Sequence, residues 1–455
     1  MIGDQEREYK KSILLSIFEG GAYTGFFLIS QGFFLTSLAL YFRLSELALS
    51  IVFAIPSAVQ LLQLFTPFVI DKVRSRKKIV IFSSICSRLP WAILLALVLM
   101  KFRTPSTFIL LFAASQVALT FAGNAWNSWI KDLVPDETRG RYFGIRNLFS
   151  GTITILLTYV YSRALDGFPA PYNHAAIITL ALIFGSVSIL LLSRQYEPPH
   201  KFFGALAGLG ACLKDERFRK FLLFTFVWNS CVYFSAPYFS LYQIEFLKLP
   251  YTRIGFYAII IGIVSIPAYY LWGILTDRFG AKTITYMGIA TVAVLPGLWV
   301  FMDPSNMYRL LLVDALIAGV GWAAINLALY SLAFEVAGFN SAAYFSLFYA
   351  STSLGSMAGS VAGGMLGKVL INSDFRVFGC EFEGIKFIFL LAFFMRLSVL
   401  YLLGKVEPVR YFKPRMVLGT VLTVIGRRLA TLPRDSAQYL SRRLLKRKER
   451  RNLKH

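Results

Sequence analysis

The 455-residue chain is poor in the groups that carry covalent and metal chemistry, with only four cysteines and three histidines. Cys86, Cys212, Cys231 and Cys380 are too scattered for a disulfide framework or a metal-ligand spacing. His174 opens an apolar run, whereas His200 and His455 lie outside such runs, which excludes a histidine relay within them. No Walker-type phosphate loop occurs, so nucleotide hydrolysis is excluded as a driving force, and no metal or cofactor is implied. Acid is also scarce: 24 Asp and Glu stand against 47 Lys and Arg, a net charge of +23. Finally, no polar stretch before residue 405 is long enough to be a domain. This excludes the roughly three soluble domains a chain of this length would otherwise form.

What is present is apolar surface. Hydrophobic residues make up 56% of the chain and the mean hydropathy is +0.61, above the roughly 45–50% of soluble domains. They fall into runs of about 20, enough to cross a hydrocarbon core of roughly 30 Å as helix. Twelve such runs are read: 12–40, 46–70, 79–100, 106–130, 142–164, 174–193, 221–246, 252–276, 283–302, 308–333, 341–370 and 385–404. Barrel strands would alternate in polarity, but Ile177 to Leu192 is apolar almost throughout. Helices, with their backbone bonds satisfied internally, are the reading that hydrocarbon allows. Asp4, Glu6 and Glu8 break the basic region that a cleavable signal needs, so the first run is expected to remain as a helix.

A net charge this basic would suggest nucleic acid in a soluble protein, so its placement decides its meaning. With the N-terminus placed inside, 34 of the 47 basic residues fall on the inner side and 10 on the outer, with Arg88, Arg146 and Arg396 inside runs. Positive charge marks the cytoplasmic side. The reading is therefore an all-α integral membrane protein with twelve transmembrane helices in the cytoplasmic membrane, both termini cytoplasmic, and no nucleic-acid partner.

Two markers repeat. After the eighth run come Gly273, Asp277, Arg278, Gly280 and Lys282; the same offsets after the second run give Pro67, Asp71, Lys72, Arg74 and Arg76. Ser128 to Asp132, continuing to Tyr142 and Phe143, is matched by Ser331 to Glu335, continuing to Tyr344 and Phe345. Asp71 and Asp277 are 206 residues apart, and Asp132 and Glu335 are 203 apart. Two markers at nearly one period imply a duplicated six-helix unit: residues 1–194 and 220–405, a cytoplasmic linker at 195–219 and a basic tail at 406–455.

On these residues the chain resembles the major facilitator superfamily, over residues 10–405. The Gly273 to Lys282 segment is similar to that family's loop between helices 8 and 9, and the first copy departs from it at Pro67 and Arg74. Arg139 to Gly144, after Trp126, Trp129 and Pro135, is similar to prokaryotic members. The resemblance implies a pair of inner latches. Asp71, in the gating loop with Lys72 and Arg76, would itself face the start of helix 11 near Asn340 and Ser341. Asp277, in the loop with Arg278, would face helix 5 near Thr138, Arg139 and Arg141, the carboxylates accepting helix N-terminal N–H groups and pairing with nearby Arg. A charged turn that merely obeys the inside rule is the plainer alternative.

Charges inside the membrane are costly and mark candidate functional sites. Glu19 lies between Arg146 and Arg88 in depth, so a pair with either is possible, serving proton exchange, contact with a cationic substrate, or a permanent structural bridge. Asp314 pairs with Arg396 or sits hydrated near the outer mouth. The resemblance also implies that helices 1, 4, 7 and 10 line a central cavity, where Tyr23, Gln31, Gln116, Asn124, Asn229, Tyr233 and Asn326 are the candidate substrate contacts. Gly355, Gly359, Gly363, Gly364 and Gly367 permit either bending or close packing of helix 11. Residues 201–219 read as a short interfacial helix, and the tail from Arg427 to Lys454 as a ligand for anionic lipid headgroups. The expected function is alternating-access transport of a small solute by a monomer, driven by protons, another ion or the solute gradient. A non-transporting assembly factor or a lipid or pigment handler on the same fold is the alternative, and an enzyme is not expected.

Overall fold

The computed structural model describes residues 2–134, 136–199, 209–336, 341–371, 374–377, 380–407 and 411–412. They form α1 Ile2–Phe27, α2 Gly32–Tyr41, α3 Glu46–Gln60, α4 Thr66–Val73, α5 Arg76–Leu99, α6 Pro105–Leu133, α7 Asp136–Gly167 and α8 Tyr172–Ser193. After α9 Leu209–Lys214 come α10 Glu216–Leu241, α11 Tyr251–Phe279, α12 Ala281–Val300, α13 Met307–Val336, α14 Ser341–Leu370 and α15 Gly384–Lys405. A hairpin, β1 Asp374–Val377 against β2 Cys380–Glu383, precedes α15 and was not foreseen.

Ten stretches among the described residues are long and apolar enough to cross a membrane. α10 and α14 are not among them; both carry Ser, Asn, Tyr or Gly on faces that turn inward. Helix starts are set by local chemistry. Ser45 accepts from Ala48 N at 3.4 Å, Ser75 from Lys78 N at 3.2 Å, and Asp215 from Arg217 N at 3.0 Å and Phe218 N at 3.3 Å. Each satisfies N–H groups that a helix start leaves open.

Two of the expected continuous runs are broken. α1 ends in a 3-10 turn at Leu28–Ser30, Gln31 is extended (φ −149°), and Gly32 restarts the helix at φ +56°. That left-handed conformation is one glycine adopts without steric cost. The 46–70 run is likewise divided by a 3-10 segment, Leu61–Phe65. Irregular backbone at membrane depth is tolerated where it lines a cavity, as the first break does with Ser30, Gln31 and Gly32; the second begins next to Gln60, which lines the same cavity.

α1 packs on α7 and α8, α5 on α6 and α8, and α3 on α6; α10 packs on α14 and α15, and α12 on α13 and α15. The two bundles meet along two seams, α3 with α14 and α7 with α11. In lipid such contacts rest on close van der Waals packing more than on a hydrophobic drive. The α14 glycines show this: an added Cβ at Gly355, Gly359 or Gly363 would collide with the carbonyl oxygens of Phe226, Ser230 and Phe234 on α10. Their stripe is therefore a packing face.

Of the interfacial helix expected at 201–219, helix is present at α9, and residues 201–208 lie outside the described ones. The tail from Arg427 also lies outside them. The described residues at the end of α15 and just after it fold back: Lys282 Nζ donates to Gly404 O at 2.8 Å and Val406 O at 2.6 Å, and Phe412 N donates to Thr283 Oγ1 at 3.1 Å. Lys220, donating to Glu407 at 3.1 Å, holds that carboxyl below its ordinary range. Cys86, Cys212 and Cys231 are not in disulfides.

Candidate functional site

Between the bundles lies a cavity of about 640 Å³, within the size range of small-molecule sites. The helix break places Gln31 and Gly32 on its wall, beside Gln60 of α3, Gln116 of α6, Asn229 and Tyr233 of α10, and Asn326 of α13. Aromatic faces complete it, with Trp228, Trp322, Tyr330 and Tyr349 among them. Among the described residues no Asp, Glu, Lys, Arg or His lines it. Five of the seven candidate contacts therefore meet here. Tyr23 does not: it stacks on Phe27 at 5.6 Å and lines a separate 200 Å³ cavity inside the first bundle. Asn124 does not either, donating to Thr66 Oγ1 at 3.3 Å. Gln60, Ser353 and Tyr349 were missed because only helices 1, 4, 7 and 10 were searched. A Gln on an apolar face of the second run was the available signal.

Toward one end of the cavity both seams are hydrogen-bonded. Ser360 Oγ donates to Ser50 O at 2.8 Å and Ser353 Oγ to Gln60 Oε1 at 3.1 Å, joining α14 to α3. Across the other seam Asp166 accepts from Tyr251 N at 2.9 Å and Thr252 N at 2.7 Å, capping α11 from α7. At the opposite end, which carries the Asp71 and Asp277 turns, both acids are exposed. No bond to either is present among the described residues, and the proposed partners Asn340, Arg139 and Arg141 lie outside the described side chains. The latches are thus not made by any described group.

The turns themselves are built alike. Arg74 ends α4 at φ +55°, ψ +22°, and Gly280, at the same offset, has φ +85°. The first copy keeps a positive φ at this offset with an arginine in the glycine's place, but in the left-handed helical well, whereas Gly280 has ψ +152°. Two residues on, Arg76 and Lys282 are both buried, at 0% and 6% exposure. Arg76, expected among the gating-loop residues, is thus held inside its own bundle. Its guanidinium pairs with Asp132 and donates to Ser128 O and Pro198 O, each at 2.9 Å, while Glu197 accepts its backbone N–H at 2.6 Å. Glu335, the counterpart of Asp132, accepts from Ala281 N at 3.3 Å. The two repeated sequence markers thus meet in space within each bundle, tying each turn to its own half.

The buried charges lie off the central cavity. Glu19 accepts from Arg146 Nη2 at 3.2 Å and from Ser188 Oγ at 2.9 Å, and Arg146 stacks on Trp126 at 4.3 Å. Arg88, the other expected partner, instead caps Ser84 O at 3.1 Å and lies over Phe26 at 4.4 Å. The expected Asp314–Arg396 pair is also not formed. Asp314 accepts from Trp299 Nε1 at 2.9 Å and from Tyr257, while Arg396 donates to Val292 O and Ser235 Oγ, each at 3.2 Å. Aromatic donors reach Asp314 first because Tyr257 and Trp299 are on helices packed directly against or beside α13.

The comparisons agree with this architecture. The nucleoside transporter NupG superposes with a TM-score of 0.71 at 13% identity, over 88% of this chain and 99% of that one. A D-xylose-proton symporter gives 0.68 at 15% identity, over 88% and 98%. A bacterial homologue of the iron transporter ferroportin, in an inward-facing state, gives 0.61 at 14%, over 88% and 98%. At such identities the likeness is one of fold. No curated protein matches the sequence itself. The sequence profile of the Major Facilitator Superfamily matches residues 15–360. With that match over most of its length and with this fold, the chain belongs to the Major Facilitator Superfamily of transporters.

Proposed function

We propose that the chain is a secondary transporter that moves a small solute across the cytoplasmic membrane by alternating exposure of the central cavity. In this reading α1 with α2 and α3 with α4 each make one span, giving twelve spans in two six-helix halves, residues 1–194 and 220–405. The Asp71 and Asp277 turns and both termini lie in the cytoplasm. The observation that carries it is the cavity itself, lying between two bundles whose seams are hydrogen-bonded at one end while both acids are exposed at the other. Two bundles rocking about a fixed midplane site expose it to each side in turn.

The cavity wall also points to the solute. A charged cargo in a low-dielectric site needs a counter-charge, and the wall offers amides, hydroxyls and aromatic rings instead. Uncharged solutes such as nucleosides and xylose, named for two of the similar structures, are the first to test. Sealed proteoliposomes are assayed for uptake of such a panel, with and without an imposed pH gradient, alongside accessibility of single cysteines placed at each end. Uptake with reciprocal accessibility supports the reading. If no solute moves and accessibility never changes sides, the protein is a binder on a transporter fold.

A further inference from the structure

The central cavity is not the largest. A second one, about 940 Å³, lies between α7 and α11 and shares the wall residues Gln31, Gly32 and Asn326 with the first, so the two adjoin there. Below the Gly255–Ser162 contact, α7 and α11 part over residues 144–155, a length of roughly 16 Å at 1.5 Å per residue. The width comes from absent side chains: an added Cβ at Gly144, Gly151 or Gly262 would meet nothing within 4 Å. The lips are apolar and exposed, with Leu148 at 66% and Ile266 at 58%. No ionisable group of the Asp, Glu, Lys, Arg or His kind lines this cavity, among the described residues, any more than the central one. The polar groups it does offer, Asn147, Thr152 and Thr154 on α7, face Ile259, Gly262 and Ile266 on α11.

We propose that the opening between α7 and α11 is a lateral portal through which an uncharged amphipathic molecule passes from the membrane into the central cavity, its polar end toward Gln31 and Asn326 and its apolar part toward Ile155, Ile259 and Ile266. This deepens the transporter reading and rests on it for the cargo's fate, though not for the route. A water-borne polar solute needs no apolar gap in the wall. A charged lipid would carry its headgroup past a wall with no counter-charge. The molecule that fits both facts has an uncharged hydrogen-bonding head and an apolar body.

The full-length protein is reconstituted in phosphatidylcholine vesicles with a photoactivatable diacylglycerol or, separately, a photoactivatable phosphatidylserine. The diacylglycerol should label peptides of α10 and α13 that line the central cavity, and the anionic probe should label them about tenfold less, the factor that 1.4 kcal/mol represents. Gly151→Phe and Gly262→Phe, one on each lip, should each lower the diacylglycerol signal in the cavity to a similar extent. Labelling at Leu110, exposed at 71% on the far face of α6, should persist and report a folded protein. Absence of cavity labelling in the wild type overturns the portal, as does equal labelling by the anionic probe. So does full labelling in both variants. Reciprocal cysteine accessibility with no cavity labelling defeats the portal alone; cavity labelling without it defeats the transporter reading alone.

Discussion

The two seams between the bundles use the same small residues to opposite effect. Along α3 and α14, Gly364 lies where an added Cβ would sit 2.7 Å from Ser50 Cβ, and hydrogen bonds follow at Ser360 and Ser353. The helices stay together from Ser50 to Gln60. Along α7 and α11 contact holds from Asp166 to Ser162, where an added Cβ on Gly255 would sit 3.0 Å from Ser162 Cβ, and then lapses at Gly151 and Gly262. A glycine that faces a neighbour lets two backbones close. One that faces nothing leaves a gap. The lesson is that a small-residue spacing is not a structural feature until its facing surface is known.

The comparison is broken most completely by joining the upper α7–α11 contact covalently. Ser162→Cys with Gly255→Cys places two thiol-bearing carbons 3.0 Å apart, inside the roughly 3.5–4.5 Å span of a disulfide, so the bond forms once the helices give by about half an ångström. If this end must part for the cavity to open to the other side, oxidation abolishes uptake and a reductant restores it, measured in proteoliposomes. Retained uptake in the fully oxidised protein would mean that this seam does not gate. Next in size is a change to the sealed seam. Gly364→Leu drives a side chain into Ser50 and Leu47 and should lower stability by about 1–3 kcal/mol, as overpacking does. Gly151→Ala, on the open seam, should be neutral or raise it by up to about 1 kcal/mol through helix propensity. Thermal unfolding in detergent reads both, and equal effects would erase the distinction between the seams.

Much of the fold was legible because hydrocarbon imposes a length: apolar runs near 20 residues announce themselves, and the Asp71–Asp277 and Asp132–Glu335 intervals announce the repeat. That Arg76 would meet Asp132 was implicit in the two markers, yet a basic residue in a loop reads as solvated until a carboxylate is seen beside it. The breaks at Leu28–Gln31 and Leu61–Phe65 were not legible, since the residues on either side are apolar and a 3-10 turn leaves no trace in hydropathy. Gln31, Gln116, Asn229, Tyr233 and Asn326 stood out as polar groups on apolar faces. Tyr23 and Asn124 stood out equally and fell elsewhere, because helix rotation, set by packing, decides which face meets the cavity. For the same reason Glu19 found Arg146 rather than Arg88, and Asp314 found Tyr257 and Trp299 rather than Arg396.

The smallest expected effect separates the two Asp turns, one at the end of each seam. Gly280 (φ +85°, ψ +152°) occupies a region that is essentially closed to other residues. Arg74 (φ +55°, ψ +22°) occupies the left-handed helical well, which a non-glycine residue enters at a cost of roughly 1–2 kcal/mol. Arg74→Gly removes that cost but gives the unfolded chain more freedom to lose. The two terms nearly cancel, so the variant should change stability by no more than about 1 kcal/mol, on the stabilising side, with Asp71 left exposed and its turn intact. A clear loss of thermal stability would show that the Arg74 side chain itself holds the turn. Its exposed position argues against that role, because an arginine kept for its contacts would be expected to bury its stem as Arg76 does two residues on.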